Sequence, residues 1–312
     1  MTQKLILAIQ ADPLESLNPS FDTSLMLAGE AALRGYSSFA YTPADLVYNH
    51  GEIYADGRYF NVDTKGNITH IGVAERLRLS DAAYVLVRQN PPYDMAYLTA
   101  LDILANLPAT TRVLNNPMTL RSWGEKIIPL QFKYICPRTC IASKASNVHA
   151  FLAVEKTIIL KPLYGFGGAD VFILTASDAN CDAIIDMMCA RYPFGVIAQE
   201  FLPEVTTNDR RLLMINGQLK SVFKRTPKAG TIRGNVAVGG TAAPCDITAA
   251  DHMIAERLTP FLIQHDIMLA GVDAVGDRLI EVNITSPTGL RIPERLYGQN
   301  LAKDFWDAVI SE

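Results

Sequence analysis

The chain contains no apolar run approaching the roughly 20 residues that a membrane-spanning helix needs, so no membrane partner is expected. It has no C-x-x-C pair. Its five cysteines, Cys136, Cys140, Cys181, Cys189 and Cys245, are odd in number, and the five histidines do not cluster with them. That pattern argues against a disulfide framework and a zinc site, and for free thiols in a reducing cytosol. Positive charge is not in excess: 28 Lys and Arg stand against 32 Asp and Glu, a formal net charge of −4. A nucleic-acid binder normally carries a basic face, so no nucleic-acid partner is expected. After the first apolar stretch comes Asp12-Pro13-Leu14 rather than G-x-G-x-x-G, which excludes a Rossmann-type dehydrogenase. Asp12 and Pro13 also end that stretch too early for a signal peptide, and no small-residue cleavage site follows, so a cytoplasmic protein is expected. Internal repeats and low-complexity tracts are missing as well.

What the chain does have is 49% hydrophobic residues over 312 positions, enough for a packed core in two or three units and incompatible with a disordered or collagen-like chain. Residues 4–11 read as a buried strand. Asp22 or Thr23 then caps a helix with Leu25, Met26, Ala32 and Leu33 on one side, which Gly35 ends, and 38–41 is a second strand. This strand–helix–strand order predicts a parallel sheet and an α/β fold. Asp56-Gly57, between alternating residues 53–62, predicts a hairpin. Strands at 84–87 and 113–114 complete a domain over 1–122. Beyond it the pattern predicts a central unit over 123–200, with strands around two helices, and a C-terminal unit over 201–312. That last unit holds a hairpin at Asn216-Gly217, a Gly- and Thr-rich loop over 226–243, a helix over 249–265 and two strands turned by Gly276-Asp277. A final helix is predicted over 293–310.

The segment Ile159–Phe172, I-L-K-P-L-Y-G-F-G-G-A-D-V-F, puts one lysine inside an apolar strand and follows it with three glycines in four residues. A buried ammonium needs a negative partner, and glycine-rich backbone wraps a phosphate closely. A second cluster lies in G-V-D-A-V-G-D-R-L-I-E-V-N. Glu281 and Asn283, two apart, share one strand face, and a hairpin at Gly276-Asp277 brings Asp273 to it. Two carboxylates and an amide oxygen make a hard-oxygen site suited to Mg²⁺ held together with phosphates. Read alone, the same residues also fit a solvated edge strand. Arg225 ends an apolar run, and Arg233 lies in a loop whose glycines allow it to close over a ligand.

Taken in order, I-L-K-P-L-Y-G-F-G-G, Q-E-F-L-P, R-G-N-V-A-V-G-G and G-V-D-A-V-G-D-R-L-I-E-V-N-I-T-S-P-T resemble bacterial glutathione synthetase, an ATP-grasp family. Upstream D-T-S-L-M-L-A, V-R-Q-N-P-P-Y-D and L-N-N-P-M-T-L-R extend the likeness over nearly the whole chain. The resemblance implies an ATP-grasp fold behind an N-terminal parallel-sheet domain, and a ligase joining γ-glutamylcysteine to glycine through an acyl phosphate as ATP becomes ADP. It implies Lys126 and Lys161 on the ATP phosphates under a loop of Gly165, Phe166, Gly167 and Gly168. The backbone of Gln199, Glu200, Phe201 and Leu202 would read adenine, and Asp209 belongs to the same nucleotide site. Asp273, Glu281 and Asn283 would ligate Mg²⁺, with Mn²⁺ as the alternative ion. Arg211 and Arg225 would join Lys161 as catalytic cations. Arg233, Asn283 and Ser286 would meet the peptide, with Gly239 and Gly240 in the loop over it. A homo-oligomer, a tetramer, is also implied. Asn116 and Phe21 depart from the pattern, since each stands where the family carries a basic residue. Another ATP-grasp ligase with a different acceptor pair, and a non-catalytic ATP-binding protein of the same fold, remain as alternatives.

Overall fold

The computed structural model describes residues 5–311 apart from 64, 166–167 and 228–238. Three sheets follow one another along the chain. The first has seven strands: β1 (Ile6–Gln10), β2 (Ser37–Tyr41), β3 (Leu46–Asn49), β4 (Glu52–Val62), β5 (Ile68–Arg78), β6 (Tyr84–Val87) and β7 (Arg112–Leu114). Their order is β3-β4-β2-β1-β6-β7, with β5 paired to β4, and β1 runs parallel to both β2 and β6. β1 is buried throughout because helices cover both faces of the sheet. Helix α1 (Thr23–Leu33) starts where the Asp22 carboxylate accepts the Leu25 N–H at 2.9 Å. Its buried side is Leu25, Leu27, Ala28 and Ala31, whereas the expected Leu33 is 69% exposed. The turn of helix facing the sheet ends before it.

Asp56-Gly57 makes no hairpin. β4 runs straight through it, because Gly57 answers a different need: a Cβ there would lie 2.3 Å from the Ala40 carbonyl oxygen and 2.8 Å from the Phe39 ring. This glycine lets two strands approach closely. The turn before β4 is instead at His50-Gly51, both with positive φ.

The second sheet consists of β8 (Thr139–Ala142), β9 (Thr157–Pro162), β10 (Phe172–Thr175) and β11 (Val196–Glu200), all antiparallel in the order β10-β9-β11-β8. Helices α4 (Ala145–Glu155) and α5 (Cys181–Arg191) bury one face, packing Val148, Leu152, Ile185 and Met188 on Ile158, Leu160, Leu174 and Ala198. Strand alternation then puts Thr139, Ile159, Lys161 and Gln199 on the other face. Helix α2 (Met95–Leu104) connects β6 to β7 of the first sheet, and α3 (Pro117–Ser122) follows β7 on the way to the second sheet. Asn116 caps α3, its side-chain oxygen accepting from Met118 and Thr119 N–H, which accounts locally for that departure.

The third sheet has the order β14-β13-β12-β15-β16, formed by β12 (Asp209–Ile215), β13 (Gln218–Thr226), β14 (Thr241–Pro244), β15 (Leu269–Val275) and β16 (Arg278–Asn283). Asn216 and Gly217, with φ of 45° and 70°, form the tight turn between β12 and β13. Helix α6 (Ala249–Gln264) covers one face through Ile254, Leu258 and Leu262 against Leu212, Met214 and Val272. Part of the expected loop is strand: 241–244 adds β14 to the edge of β13, where backbone pairing outweighs the local wealth of small residues. The expected final helix is two, α7 (Arg291–Tyr297) and α8 (Leu301–Ile310). Gly298 in the left-handed region breaks it, and Asn300 caps the second half. α8 returns to the first sheet's helices, where the buried Trp306 indole donates to the Leu27 carbonyl at 2.8 Å. Arg295 on α7 lays its guanidinium over the Phe21 ring, 5.3 Å from its centroid, so a cation reaches the second departing position from elsewhere in the chain.

Replacing Gly57 by Ala is expected to destabilise the protein by about 1–3 kcal/mol, since the clash is with backbone that cannot swing aside. The urea unfolding midpoint checks this; an unchanged midpoint would mean the strands can separate at no cost.

Candidate active site

The second and third sheets turn their polar faces to a common cleft of about 240 Å³. From the second sheet come Ile159, Lys161 and Gln199, and from the third come Asp209, Arg211, Arg225, Asp273, Glu281 and Asn283. Lys126, from the segment joining the first sheet to the second, closes one end beside Gly165 and Gly168. Apolar side chains of Val171, Phe201, Leu202, Val275 and Ile280 also line the cleft, which therefore has room for a flat, weakly polar group beside its charges.

Register explains how the charges meet. Arg211 lies directly opposite Asp273, and Asp273 directly opposite Glu281. Asp209 faces Arg225 on the other side of β12. The β15–β16 ladder slips between Asp273 and Ala274, leaving Ile280 as the extra residue of a bulge. Leu279 thus stays in the core while Glu281, two residues on, enters the cleft. Simple alternation would have put both on one face.

Asp273 is the hub. The Arg211 guanidinium donates to its two oxygens at 2.6 and 3.1 Å, Arg225 reaches it at 3.0 Å, and the Asn283 amide at 3.3 Å. Burial alone would push this carboxyl up, but Arg211 and Arg225 together hold it below the usual carboxylate range. Asp209 has Arg225 at 2.6 Å, yet burial outweighs that single partner and pushes its carboxyl up. Lys126 donates to the Gly165 carbonyl at 2.5 Å and pairs with Glu281 at 3.0 Å. Burial opposes its charge, and Glu281 more than restores it, leaving the ammonium above its ordinary value. Lys161 contrasts with it. It is 8% exposed and its partner is a neutral one, the Gln199 amide oxygen at 3.2 Å, so burial lowers its ammonium despite the pull of Glu281.

The Asp273, Glu281 and Asn283 side chains converge as the sequence spacing predicts. Among the described residues no cluster of three or more His, Cys, Asp or Glu side chains would hold a metal by itself. Two facing carboxylates and one amide nonetheless fit Mg²⁺, an ion that takes one or two carboxylates and completes its shell with water and phosphate oxygens.

Two family models divide the chain between them. Residues 5–121 match the prokaryotic glutathione synthetase N-terminal domain, and residues 125–298 match the prokaryotic glutathione synthetase ATP-grasp domain. The chain belongs to the prokaryotic glutathione synthetase family. Glutathione synthetase of Agrobacterium fabrum is 36% identical over 97% of this chain and 95% of that protein. The Mesorhizobium japonicum glutathione synthetase is likewise 36% identical, over 98% of each chain. The crystal structure of a RimK domain ATP-grasp protein from Sphaerobacter thermophilus superposes with a TM-score of 0.63 at 18% identity, covering 98% of this chain and 99% of that one. The fold is ATP-grasp.

Among the described residues, not every one marked by the glutathione synthetase pattern lines the cleft. Phe166, Gly167 and Arg233 lie outside the described residues. Gly239 and Gly240 sit just before the edge strand β14, Gly239 with a φ of 102° and open space where a Cβ would point. Ser286 donates its hydroxyl to the Arg88 carbonyl at 3.1 Å, at the junction with the first sheet. Glu200 is in the cleft, its carboxylate near Arg138 at 3.5 Å and Arg278 at 3.7 Å.

Two further residues went unmarked. Glu125, beside Lys126, accepts from the Ile284 and Thr285 N–H groups and the Thr285 hydroxyl at 2.7–2.9 Å, fastening the joining segment to the strand that carries Glu281. Arg88 is 6% exposed and, among the described residues, donates to the Ser24 hydroxyl at 3.2 Å and the Pro287 carbonyl at 3.0 Å. No carboxylate among the described residues pairs with it, and burial lowers its guanidinium. Arg88 lies inside the quoted V-R-Q-N-P-P-Y-D without a role assigned to it there, Glu125 stands beside the assigned Lys126, and only their burial singles them out.

Asp273→Asn is expected to cost about 3–5 kcal/mol of stability, because it strips the charge from a buried carboxylate and leaves the Arg211 guanidinium uncompensated, Arg225 keeping only Asp209. Glu281→Gln is expected to cost about 1 kcal/mol, as Lys126 keeps the Gly165 carbonyl. Denaturant titration of the two variants compares them directly; equal losses would contradict the placement of Asp273 as the hub.

Proposed function

We propose that the protein is an ATP-dependent ligase that joins γ-glutamylcysteine to glycine and releases ADP and phosphate by way of an acyl phosphate. The observation that carries this reading, beside the family, is the meeting of four cations from separate chain segments (Lys126, Lys161, Arg211 and Arg225) with a facing carboxylate pair in one cleft.

A carboxylate and an amine do not condense in water at a useful rate, so the carboxylate must first be activated. Phosphoryl transfer asks the protein mainly for positioning and for charge neutralisation. Lys126 and Lys161 hold the phosphates of ATP. The backbone of 199–202 and the apolar side chains of the cleft take adenine, and Asp209 belongs to the same nucleotide site. Asp273, Glu281 and Asn283 hold Mg²⁺, which when bound shields the charge spreading over the transferred phosphoryl group. Arg211 and Arg225 steady the acyl phosphate oxygens, and one of them stabilises the oxyanion formed as the glycine amine attacks. Arg88, buried without an acidic partner, suits a carboxylate of the dipeptide near Ser286. Arg233 and the glycines at 239 and 240 belong to the loop that excludes water from the acyl phosphate. The five cysteines are free, which fits a cytoplasmic enzyme, and by resemblance it works as a homotetramer.

With γ-glutamylcysteine, glycine, ATP and Mg²⁺, the purified protein is expected to release phosphate in step with glutathione, and Glu281→Gln to abolish that turnover. Phosphate release only with another acceptor pair would overturn the substrate assignment. Affinity for ATP is expected to fall as pH rises through the lowered Lys161 value, within a range where an ordinary lysine still holds its proton. Calorimetric titration across pH reads this directly, and affinity flat up to the ordinary lysine range would contradict it.

A further inference from the structure

Among the described residues Lys161 meets one hydrogen-bond acceptor on its strand face, the Gln199 amide oxygen at 3.2 Å. An amide has an oxygen at one end and an NH₂ at the other, and the wrong end would present donors to an ammonium that itself has only donors. Something must therefore fix which way Gln199 points. Thr139 lies directly across from Gln199 in the β8–β11 register, and its hydroxyl accepts from the Gln199 Nε2 at 2.9 Å. That hydroxyl has one proton, and it is donated to the Pro137 carbonyl at 2.8 Å, a group that only accepts. Toward Gln199 the Thr139 oxygen can then only accept. The Cys136 thiol, 3.8 Å away, supplies its second incoming bond; burial pushes that thiol up, so it keeps its proton to donate. The polarity runs one way, from the Pro137 carbonyl through a hydroxyl and an amide to the ammonium.

We infer that Thr139 is a positioning residue for nucleotide binding: it locks the Gln199 amide so that its oxygen, and not its NH₂, faces Lys161. This rests on the reading of Lys161 as a phosphate ligand. Thr139 touches neither the phosphates nor any reacting atom, and acts only through the orientation of Gln199. With Thr139→Val the amide loses its acceptor and is free to rotate. Lys161 then loses its one neutral partner, and its proton leaves at lower pH.

The full-length protein is titrated with ATP by calorimetry across pH. Thr139→Val is expected to weaken binding about tenfold and to move the alkaline fall in affinity to lower pH, and Thr139→Ser to restore both. The deciding arm repeats Thr139→Val in a Gln199→Glu background. A carboxylate shows oxygen to Lys161 whichever way it turns, so there the second substitution is expected to change neither affinity nor the alkaline limb. An equal loss in both backgrounds would mean that Thr139 merely supports the sheet, and no loss in either would mean that Gln199 needs no orienting; both outcomes overturn the inference. If the unsubstituted protein fails to bind ATP, the reading of Lys161 falls instead.

Discussion

A carboxylate shared by two guanidinium groups holds the cleft together. Asp273 takes Arg211 bidentately and Arg225 through one nitrogen, and Arg225 passes on to Asp209. These four side chains stand on three neighbouring strands of one sheet, at most a tenth exposed. None would be tolerated there alone, because a lone buried charge costs several kcal/mol. The register of β12 against β13 and β15 is thereby tied to the site: a slip of one residue would turn every charge into the apolar face under α6.

The same ladder leaves the cleft balanced but not satisfied. Among the described residues Lys126 is paired with Glu281, whereas Lys161 has a neutral amide and Arg88 a hydroxyl and a carbonyl. Such cations are held in place while their charge is left over for an anion that arrives. In the proposed cycle the triphosphate takes up that surplus. The carboxylates it frees from Lys126 and Arg225 then face a divalent cation. Positioning of this kind needs no reorganisation at the moment of transfer, which is where electrostatic catalysis gains most.

The topology was largely legible in the chain, because burial on both faces writes itself as unbroken apolar runs and burial on one face as alternation. Asn216-Gly217 and Gly276 announced their turns correctly. Gly57 misled, since a glycine needed for close strand approach looks in sequence like one needed for a turn. Gly298 was passed over for the opposite reason: the apolar pattern continues across it, and only the left-handed backbone there breaks the helix. At the site, Lys161, Asp273, Glu281 and Asn283 could be grouped by strand periodicity. The grouping of Glu281 succeeded despite the bulge at Ile280, which no local signal revealed. Glu125, Arg88 and Thr139 were illegible, for Thr285, Pro287 and Gln199, the partners that give them their places, lie 160, 199 and 60 residues away and meet them only once the sheets have closed.

The central claim is that one cleft, assembled from three distant segments, grips a single nucleotide tail by exchanging internal ion pairs for phosphate contacts. A crystal structure of the protein with Mg²⁺ and a non-hydrolysable ATP analogue tests it most directly. The account predicts Lys126 released from Glu281, with both it and Lys161 in salt-bridge contact with the phosphates, and Glu281 and Asp273 turned to the metal. A nucleotide bound elsewhere, or bound with the Lys126–Glu281 pair intact, would contradict it.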